Sequence, residues 1–285
     1  MSTVHLWFLD AGYATHPERM VIDGGALAPM RFTATVAVIE HPRDGVILLD
    51  TGFSERFHDV TRRLPERLHT YVMPVTMRPE DSAAYQLRQA GIAASDVRTV
   101  VLSHFHPDHV AGVADFPRAS YVFQRAAYER LRDRGRLGQL RAGFLPGLLP
   151  DDFEPRARPV DPADAIRGLA WDPARAGWDL CGDGSVVLVD LPGHAIGHSG
   201  LYVQAADGHR YLLAGDACWL SRSFRERRMP GPAARLIVDD WGRYTATIDD
   251  LHAISLRDPA LRIVPCHCGE AHRDLPRQRP ALDSR

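Results

Sequence analysis

Short runs of apolar and β-branched residues predict strands in both halves of the chain. Two of these runs, Thr33–Glu40 and Val46–Asp50, are separated by a polar turn that contains Pro42 and Gly45, and they predict a β-hairpin. Later runs end close to polar segments that contain histidine or aspartate. These later predicted strands are Thr99–Ser103, Tyr121–Phe123, Val186–Leu191, Leu201–Gln204, Tyr211–Ala214 and Arg262–Val264.

Helical patterns alternate with the predicted strands. Pro79-Glu80-Asp81 is typical of a helix start, and we expect this helix to end near Ala90. A second helix extends to about Arg134, and Asp239–Leu256 predicts a third. Strands interleaved with helices indicate an α/β architecture.

The stretch from about residue 135 to residue 177 departs from this alternation. It is rich in Gly, Pro, Arg and Asp and contains the apolar patch Phe144–Leu149. Long irregular stretches inside compact domains are usually functional or disordered. We interpret this stretch as a loop or helical insertion that covers a site, with a floppy surface loop as the alternative. We expect one domain over residues 1–285 and a loose tail from about Arg273.

Composition and charge exclude several classes of partner. Charged residues make up 25% of the chain and the net charge is −2, and we find neither a basic block nor a membrane-length apolar run. We therefore predict no nucleic-acid partner and no membrane partner. Residues 1–7 lack the features of a signal peptide, and all 34 basic residues are arginine, which is typical of a GC-rich bacterial genome. We predict a bacterial cytoplasmic protein whose four cysteines are free thiols.

A histidine-rich motif follows the predicted strand Thr99–Ser103. His104 and His106 alternate on a turn, so both imidazoles can converge on one metal ion. Asp108 and His109 follow on the same turn, within reach of a second ion. Burying such a cluster without a ligand would be costly, because each unpaired polar group loses its hydration. The motif therefore predicts a metal site.

Three downstream residues follow other predicted strands. His194 comes after Val186–Leu191, Asp216 comes after Tyr211–Ala214, and His267 comes after the last strand. Each residue is weak evidence alone, because a polar residue after a strand is usually solvated. In this order and at these strand ends, the set is specific for a metal centre.

Together with Leu49-Asp50-Thr51-Gly52, this series resembles the metallo-β-lactamase-fold hydrolases, from about Phe32 to His267. The resemblance implies a four-layered αββα sandwich with a dinuclear metal site at one edge of the two sheets. It implies two divalent ions, with zinc as the expected metal. The implied ligands are His104, His106 and His194 for the first ion, Asp108, His109 and His267 for the second, and Asp216 for both.

Two further residues are implied to support the ligands. A carboxylate at Asp50 would fix the orientation of a ligating histidine, although the alternative is a turn residue before Gly52. His198 has either a similar role or that of an ordinary loop residue.

The implied centre predicts hydrolysis of a small-molecule substrate. A hydroxide shared by two ions would attack the carbonyl, and Asp108 could orient it or carry its proton, which makes Asp108 the candidate catalytic residue. The metals alone do not choose among lactones, esters, thioesters and phosphodiesters. The segment Pro74–Asp81, Gln86-Leu87 and the hairpin from Arg31 resemble N-acyl-homoserine lactonases, so we predict a lactonase or esterase.

Trp219 departs from the pattern of those lactonases. They carry a tyrosine three residues beyond the bridging aspartate, where this chain has an indole without an acidic hydroxyl. Trp219 is therefore a candidate residue of an apolar substrate pocket or a plain core residue.

Several alternatives remain open at this point. A glyoxalase II-type thioesterase, a phosphodiesterase, a non-catalytic metal-binding protein and a di-iron redox protein are competing functions, and a homodimer is a further hypothesis. Cys218 and Cys266 could approach the second metal or pack as small apolar residues. Four arginines after Trp219 could bind an anionic group of the substrate or form a solvated face; they are Arg222, Arg225, Arg227 and Arg228.

Overall fold

The computed structural model describes residues 3–280 of the chain. Twelve strands lie within this range and form two six-stranded sheets. The strands are β1 (His5–Pro17), β2 (Pro29–His41), β3 (Gly45–Leu49), β4 (Val75–Thr76), β5 (Val97–Val101), β6 (Ser120–Val122), β7 (Ile166–Leu169), β8 (Asp172–Asp179), β9 (Val186–Asp190), β10 (Ser199–Gln204), β11 (Arg210–Gly215) and β12 (Leu261–Pro265).

Each sheet is mainly antiparallel and gains parallel strands toward one side. The first sheet has the order β4-β1-β2-β3-β5-β6, with β3, β5 and β6 parallel to one another. The second has the order β12-β11-β10-β9-β8-β7, with β11 and β12 parallel. The predicted hairpin joins β2 to β3, with Glu40 opposite Val46.

The two sheets pack face to face, as the alternation of side chains in β1 shows. Leu6 and Phe8 belong to a buried cluster that includes side chains from β9, β10 and β11. Trp7 and Leu9 point the other way, into a cluster between the first sheet and helices. Alternate residues of a strand face opposite sides of a sheet, so the first sheet is buried on both faces.

Helices form the outer layers. Leu87 and Leu131 pack with the outer face of the first sheet, and Tyr244 and Leu251 pack with the outer face of the second. The order of layers is therefore αββα, as predicted. The helices are α1 (Glu18–Val21), α2 (Glu55–Val60), α3 (His69–Val72), α4 (Ala83–Gln89), α5 (Pro107–Val110), α6 (Arg125–Arg132), α7 (Arg136–Arg141), α8 (Phe153–Arg156), α9 (Ser221–Arg225) and α10 (Trp241–Arg257).

The predicted strands and helices are confirmed to within a few residues, but four strands were not predicted. β1 and β8 are long enough to matter for the fold, and β4 and β7 are short. β1 is buried on most of its length, so its sequence lacks the alternation that marks a half-exposed strand. The helix predicted from Pro79 begins as a 3₁₀ turn and continues as α4 after Ser82.

The expectation for residues 135–177 is wrong in its second half. The first half contains α7 and α8, as a helical insertion would. The second half contains β7 and part of β8, which form the edge of the second sheet. Three of the four residues of β7 are exposed, and polar residues are common on edge strands, so the composition resembled that of a loop.

The predicted loose tail is also wrong where the structure describes it. The carbonyl of Pro276 accepts a hydrogen bond of 2.8 Å from the backbone N–H of Phe8 in β1. The guanidinium of Arg279 binds both carboxylate oxygens of Glu40, and Leu275 is buried. The last five residues lie outside the described range. Among residues 3–280, no helix has the length and apolar character that crossing a bilayer requires.

Candidate metal centre

Polar residues converge where five strands end. Asp50 follows β3 and His104 follows β5, while His194, Asp216 and His267 follow β9, β11 and β12. The strands of each group run in the same direction, because β3 and β5 are parallel and β9, β11 and β12 share one direction. Their carboxyl ends therefore meet at one edge of the sandwich, where open α/β sheets usually bind ligands.

Three histidines form the first group of donors. The ligating nitrogens of His104, His106 and His194 all lie within 4.8 Å of one another. Nδ1 of His106 lies 3.0 Å from Nε2 of His194. Such a set of imidazoles matches the nitrogen ligands that zinc and similar divalent metals take.

Two carboxylates and two histidines form the second group. Nε2 of His267 lies 3.3 Å from Oδ2 of Asp108 and 3.1 Å from Oδ1 of Asp216. Nε2 of His109 lies 3.4 Å from the same Oδ1 of Asp216. The other oxygen of Asp216, Oδ2, is 3.2 Å from Nε2 of His194 in the first group. The carboxylate of Asp216 therefore faces both groups.

The outward nitrogens of three rings are held by other groups. Nδ1 of His109 donates to Asp50 at 2.7 Å, and Nδ1 of His267 donates to the carbonyl of Thr33 at 2.8 Å. Nδ1 of His104 lies 3.0 Å from the hydroxyl of Ser103, which itself donates to Asp50 at 2.8 Å. These contacts turn each Nε2 toward the centre, as partners of ligating histidines usually do.

Several inward-facing atoms are buried and make no hydrogen bond with a described residue. They include Nε2 of His104 and His109, and Oδ1 of Asp108 and Asp216. Leaving such atoms unpaired is costly, and native proteins rarely do so without a reason. A bound cation would satisfy these atoms together, so the residues present fit a metal.

The first group is neutral at physiological pH. Burial lowers the pKa of His106 to about 4 and holds the pKa values of His104 and His194 well below the ordinary histidine value. Neutral imidazole is the form that ligates a metal.

The second group carries compensating charges. Burial opposes ionisation of His109 and His267, but the nearby carboxylates of Asp108 and Asp216 outweigh it and raise both pKa values well above the ordinary range. Burial likewise opposes ionisation of Asp108 and Asp216, but the histidines hold both carboxyl pKa values below normal. The carboxylates therefore remain anionic and available to a cation.

His198 and Trp219 both contact Asp216. Nδ1 of His198 donates to the carbonyl of Leu191 at 2.8 Å, and its Nε2 accepts from the backbone N–H of Asp216 at 3.0 Å. The indole N–H of Trp219 donates to Oδ2 of Asp216 at 3.1 Å. His198 therefore positions the backbone of Asp216, whereas Trp219 positions its carboxylate.

The structure brings Cys266, but not Cys218, to the second group, where its Sγ lies within 4.8 Å of the ligand atoms of His109, Asp216 and His267. Cys218 packs in the outer core of the second sheet. Cys266 lies near the second group, but its thiol donates to the carbonyl of Thr35 at 3.6 Å, and burial raises its pKa well above normal. The four arginines form ion pairs with carboxylates: Arg222 with Glu18 and Glu226, Arg225 with Glu270, Arg227 with Asp249 and Arg228 with Glu226.

A cavity of about 400 Å³ opens from this cluster to the surface. His106, Asp108 and His267 are among its lining residues, and so is Trp219. Apolar side chains dominate the rest of the lining and suit a substrate with an apolar chain. They include Met20, Leu68, Val72, Met73, Leu140 and Ile237.

Sequence comparison relates the chain to metal-dependent hydrolases. The family description Metallo-beta-lactamase superfamily matches residues 30–267. A probable metallo-hydrolase of Mycobacterium tuberculosis is 36% identical over 179 residues, which cover 61% of this chain and 53% of that protein. The match thus spans about half the length of that relative. The N-acyl homoserine lactonase AttM of Azorhizobium caulinodans is 27% identical over 242 residues, which cover 81% of this chain and 82% of AttM.

A solved structure shares the fold. It is a variant of AiiA from B. thuringiensis with N-decanoyl-L-homoserine bound at the active site. Its TM-score to this chain is 0.71 at 20% sequence identity, and the match covers 97% of this chain and 98% of AiiA.

Proposed function

Because the chain belongs to the metallo-β-lactamase superfamily, we propose that it is a dinuclear metal-dependent hydrolase that opens lactones carrying an apolar side chain. The observation that carries the proposal is the position of Asp216, whose two oxygens face two separate groups of donors. A carboxylate in this position is suited to bridge two ions.

In this proposal each group of donors holds one ion. Nitrogen and carboxylate oxygen donors suit zinc, which makes zinc the proposed metal. The unpaired inward Nε2 atoms of His104 and His109 support this assignment. The proposed ligands are His104, His106 and His194 for one ion, Asp108, His109 and His267 for the other, and Asp216 for both.

Two bound ions would lower the pKa of a water molecule between them to about 7 and polarise the ester carbonyl. Asp108 is the proposed proton carrier. Its Oδ2 faces His267, while Oδ1 makes no hydrogen bond with a described residue. Oδ1 can therefore accept the proton of the attacking water and return it to the leaving oxygen of the opened ring.

Trp219 has a different proposed role from the tyrosine of the lactonases it resembles. Its N–H is engaged by Asp216, so it holds the bridging carboxylate rather than donating an acidic proton to the substrate. The return of the proton to the leaving group then rests on Asp108.

The lactone assignment rests on the pocket together with the relatives. The relative AttM is named as an N-acyl homoserine lactonase, and AiiA holds N-decanoyl-L-homoserine, an acyl amino acid with a long alkyl chain. The apolar lining of the cavity around Met20, Leu68 and Leu140 would accommodate such a chain. The four arginines after Trp219 are paired with carboxylates, so they do not favour an anionic phosphodiester.

A substrate panel tests the proposal. The purified zinc-loaded protein should open acyl lactones with a kcat/KM at least about tenfold above that for a matched open-chain ester, since a ring holds its ester group in one orientation and a flexible chain does not. A thioester and a phosphodiester complete the panel. Equal rates for the lactone and the simple ester, or faster thioester cleavage, would contradict the lactonase assignment. His106→Ala should abolish the activity, because it removes one of the proposed ligands.

A further inference from the structure

Two histidines outside the metal centre interrupt the apolar wall of the cavity. His16 lies in β1 and His69 begins α3, and both line the cavity that opens from the metal centre. Neither side chain makes a hydrogen bond with another residue in the range 3–280. Nothing in the proposed hydrolytic chemistry uses either residue.

His69 is held in place without a polar partner. The residue is 8% exposed, and its Nδ1 is enclosed and makes no hydrogen bond with another described residue. The ring packs edge-on against Phe57, at 6.2 Å between ring centres. Nε2 is consequently the nitrogen that opens to the cavity. A phenylalanine or leucine at this position would be more favourable for the free energy of folding, because an unpaired imidazole loses its hydration without gaining a hydrogen bond.

His16 is half-buried in the same cavity wall. Its ring packs edge-on against Phe32, at 5.3 Å between ring centres. Both histidines line the same cavity as Asp108 and His267.

Both rings are neutral at physiological pH. Burial lowers the pKa of His16 and of His69, and it outweighs the opposing effect of Asp108. A neutral imidazole offers one N–H donor and one lone pair, which match a carbonyl or hydroxyl group better than an anion.

We propose that His69 and His16 give the cavity wall a polar subsite that binds a carbonyl or hydroxyl group in the side chain of the substrate. The inference rests on the proposed lactone hydrolysis and adds a preference to it. Lactones with an oxygenated side chain should be favoured over lactones with a plain alkyl side chain, because only the former satisfy the open nitrogens.

The test compares two acyl lactones with acyl chains of equal length. One carries an additional carbonyl group on its acyl chain near the amide, and the other has a plain alkyl chain. The ratio of their kcat/KM values should favour the oxygenated lactone in the unaltered protein. His69→Phe should lower this ratio by about threefold to tenfold, the range expected for one hydrogen bond. It should also leave the melting temperature unchanged or raise it. His16→Phe provides a second, independent variant.

His58→Phe is the matched control. His58 also packs edge-on against Phe57, at 5.7 Å, but it is exposed and does not line the cavity. The ratio should therefore stay the same in this variant.

An unchanged ratio in both His69→Phe and His16→Phe would overturn the polar subsite while leaving lactone hydrolysis intact. If the unaltered protein opens neither lactone, the proposed function fails. Calorimetric binding of the same two compounds to the zinc-loaded protein then decides the subsite. Tighter binding of the oxygenated compound that His69→Phe abolishes would support it, and equal binding would overturn it.

Discussion

Asp50 adopts a left-handed backbone conformation, with φ at 61°, directly after β3. Such a conformation costs a non-glycine residue roughly 1 kcal/mol or more. Here it brings both carboxylate oxygens of Asp50 onto Ser103 and His109. Gly52 follows with φ at 66°, and a Cβ there would lie 2.2 Å from that of Ala11. The Leu-Asp-Thr-Gly motif thus combines a strained backbone at Asp50 with a close approach of Gly52 to Ala11.

Asp50→Asn tests whether this carboxylate supports the metal centre. Asparagine tolerates the left-handed conformation, so the backbone should be retained while the charge and one of the two acceptor oxygens are lost. We expect metal affinity to fall by about 10-fold to 100-fold, as for other partners of ligating histidines. Competition with a zinc-binding dye would measure this change. Asp190→Asn is the control, because Asp190 also ends a strand, and its carboxylate accepts a hydrogen bond from the side chain of Gln124 and lies outside both groups of metal donors. An unaltered metal affinity in Asp50→Asn would show that the carboxylate has only a structural role.

At the scale of single residues, the sequence predicted which side chains meet but not how they are held. His104, His194, Asp216 and His267 were recognisable because each follows a strand. No sequence feature identified the Thr33 carbonyl and the Ser103 hydroxyl as partners of ligating histidines, because backbone carbonyls and serines occur throughout the chain. The contact between Trp219 and Asp216 likewise depends on a rotamer that a one-dimensional pattern does not specify.

At the scale of secondary-structure elements, the turn after α7 packs against a proposed ligand. Gly143 has φ at 65°, and a Cβ built there would lie 2.6 Å from Cδ2 of His106. The absence of a side chain at this position lets the segment after α7 pack directly on the imidazole. The insertion predicted to cover a site therefore does contact the candidate centre.

Gly143→Ala should displace His106. We expect the backbone strain to reduce stability by roughly 1 kcal/mol and activity to fall by about 100-fold, since small misplacements at a reacting centre are costly. Gly182→Ala is a matched control, because Gly182 also has a positive φ, at 72°, but an added Cβ there meets nothing within 4 Å. Thermal unfolding should shift similarly in both variants. Comparable activity in the two would argue against a special role for the turn after α7.

The elements missed from the sequence share a physical cause. Strands buried on both faces or lying at a sheet edge lack the alternation that identifies a half-buried strand. β1 is the first kind and β7 is the second. The elements that were predicted, such as β9 and α10, have apolar runs or helical periodicity that need no knowledge of their neighbours.

At the scale of the whole molecule, the candidate centre joins the two sheets. Asp50 and His104 extend from the first sheet, whereas His194, Asp216 and His267 extend from the second. A hydrogen bond from His267 to the carbonyl of Thr33 also crosses between the sheets. Bound ions would add cross-links at this edge, so metal removal should lower the melting temperature as well as the activity.

The central claim is that one chain holds two metal ions and needs them for hydrolysis. The most direct measurement is the metal content per chain by mass spectrometry, followed through stepwise chelation while lactone hydrolysis is recorded on the same samples. We predict about two ions per chain, with activity lost as they are removed and regained when zinc is restored. Fewer than one ion per chain in a zinc-restored sample, or full hydrolysis after complete chelation, would contradict the account.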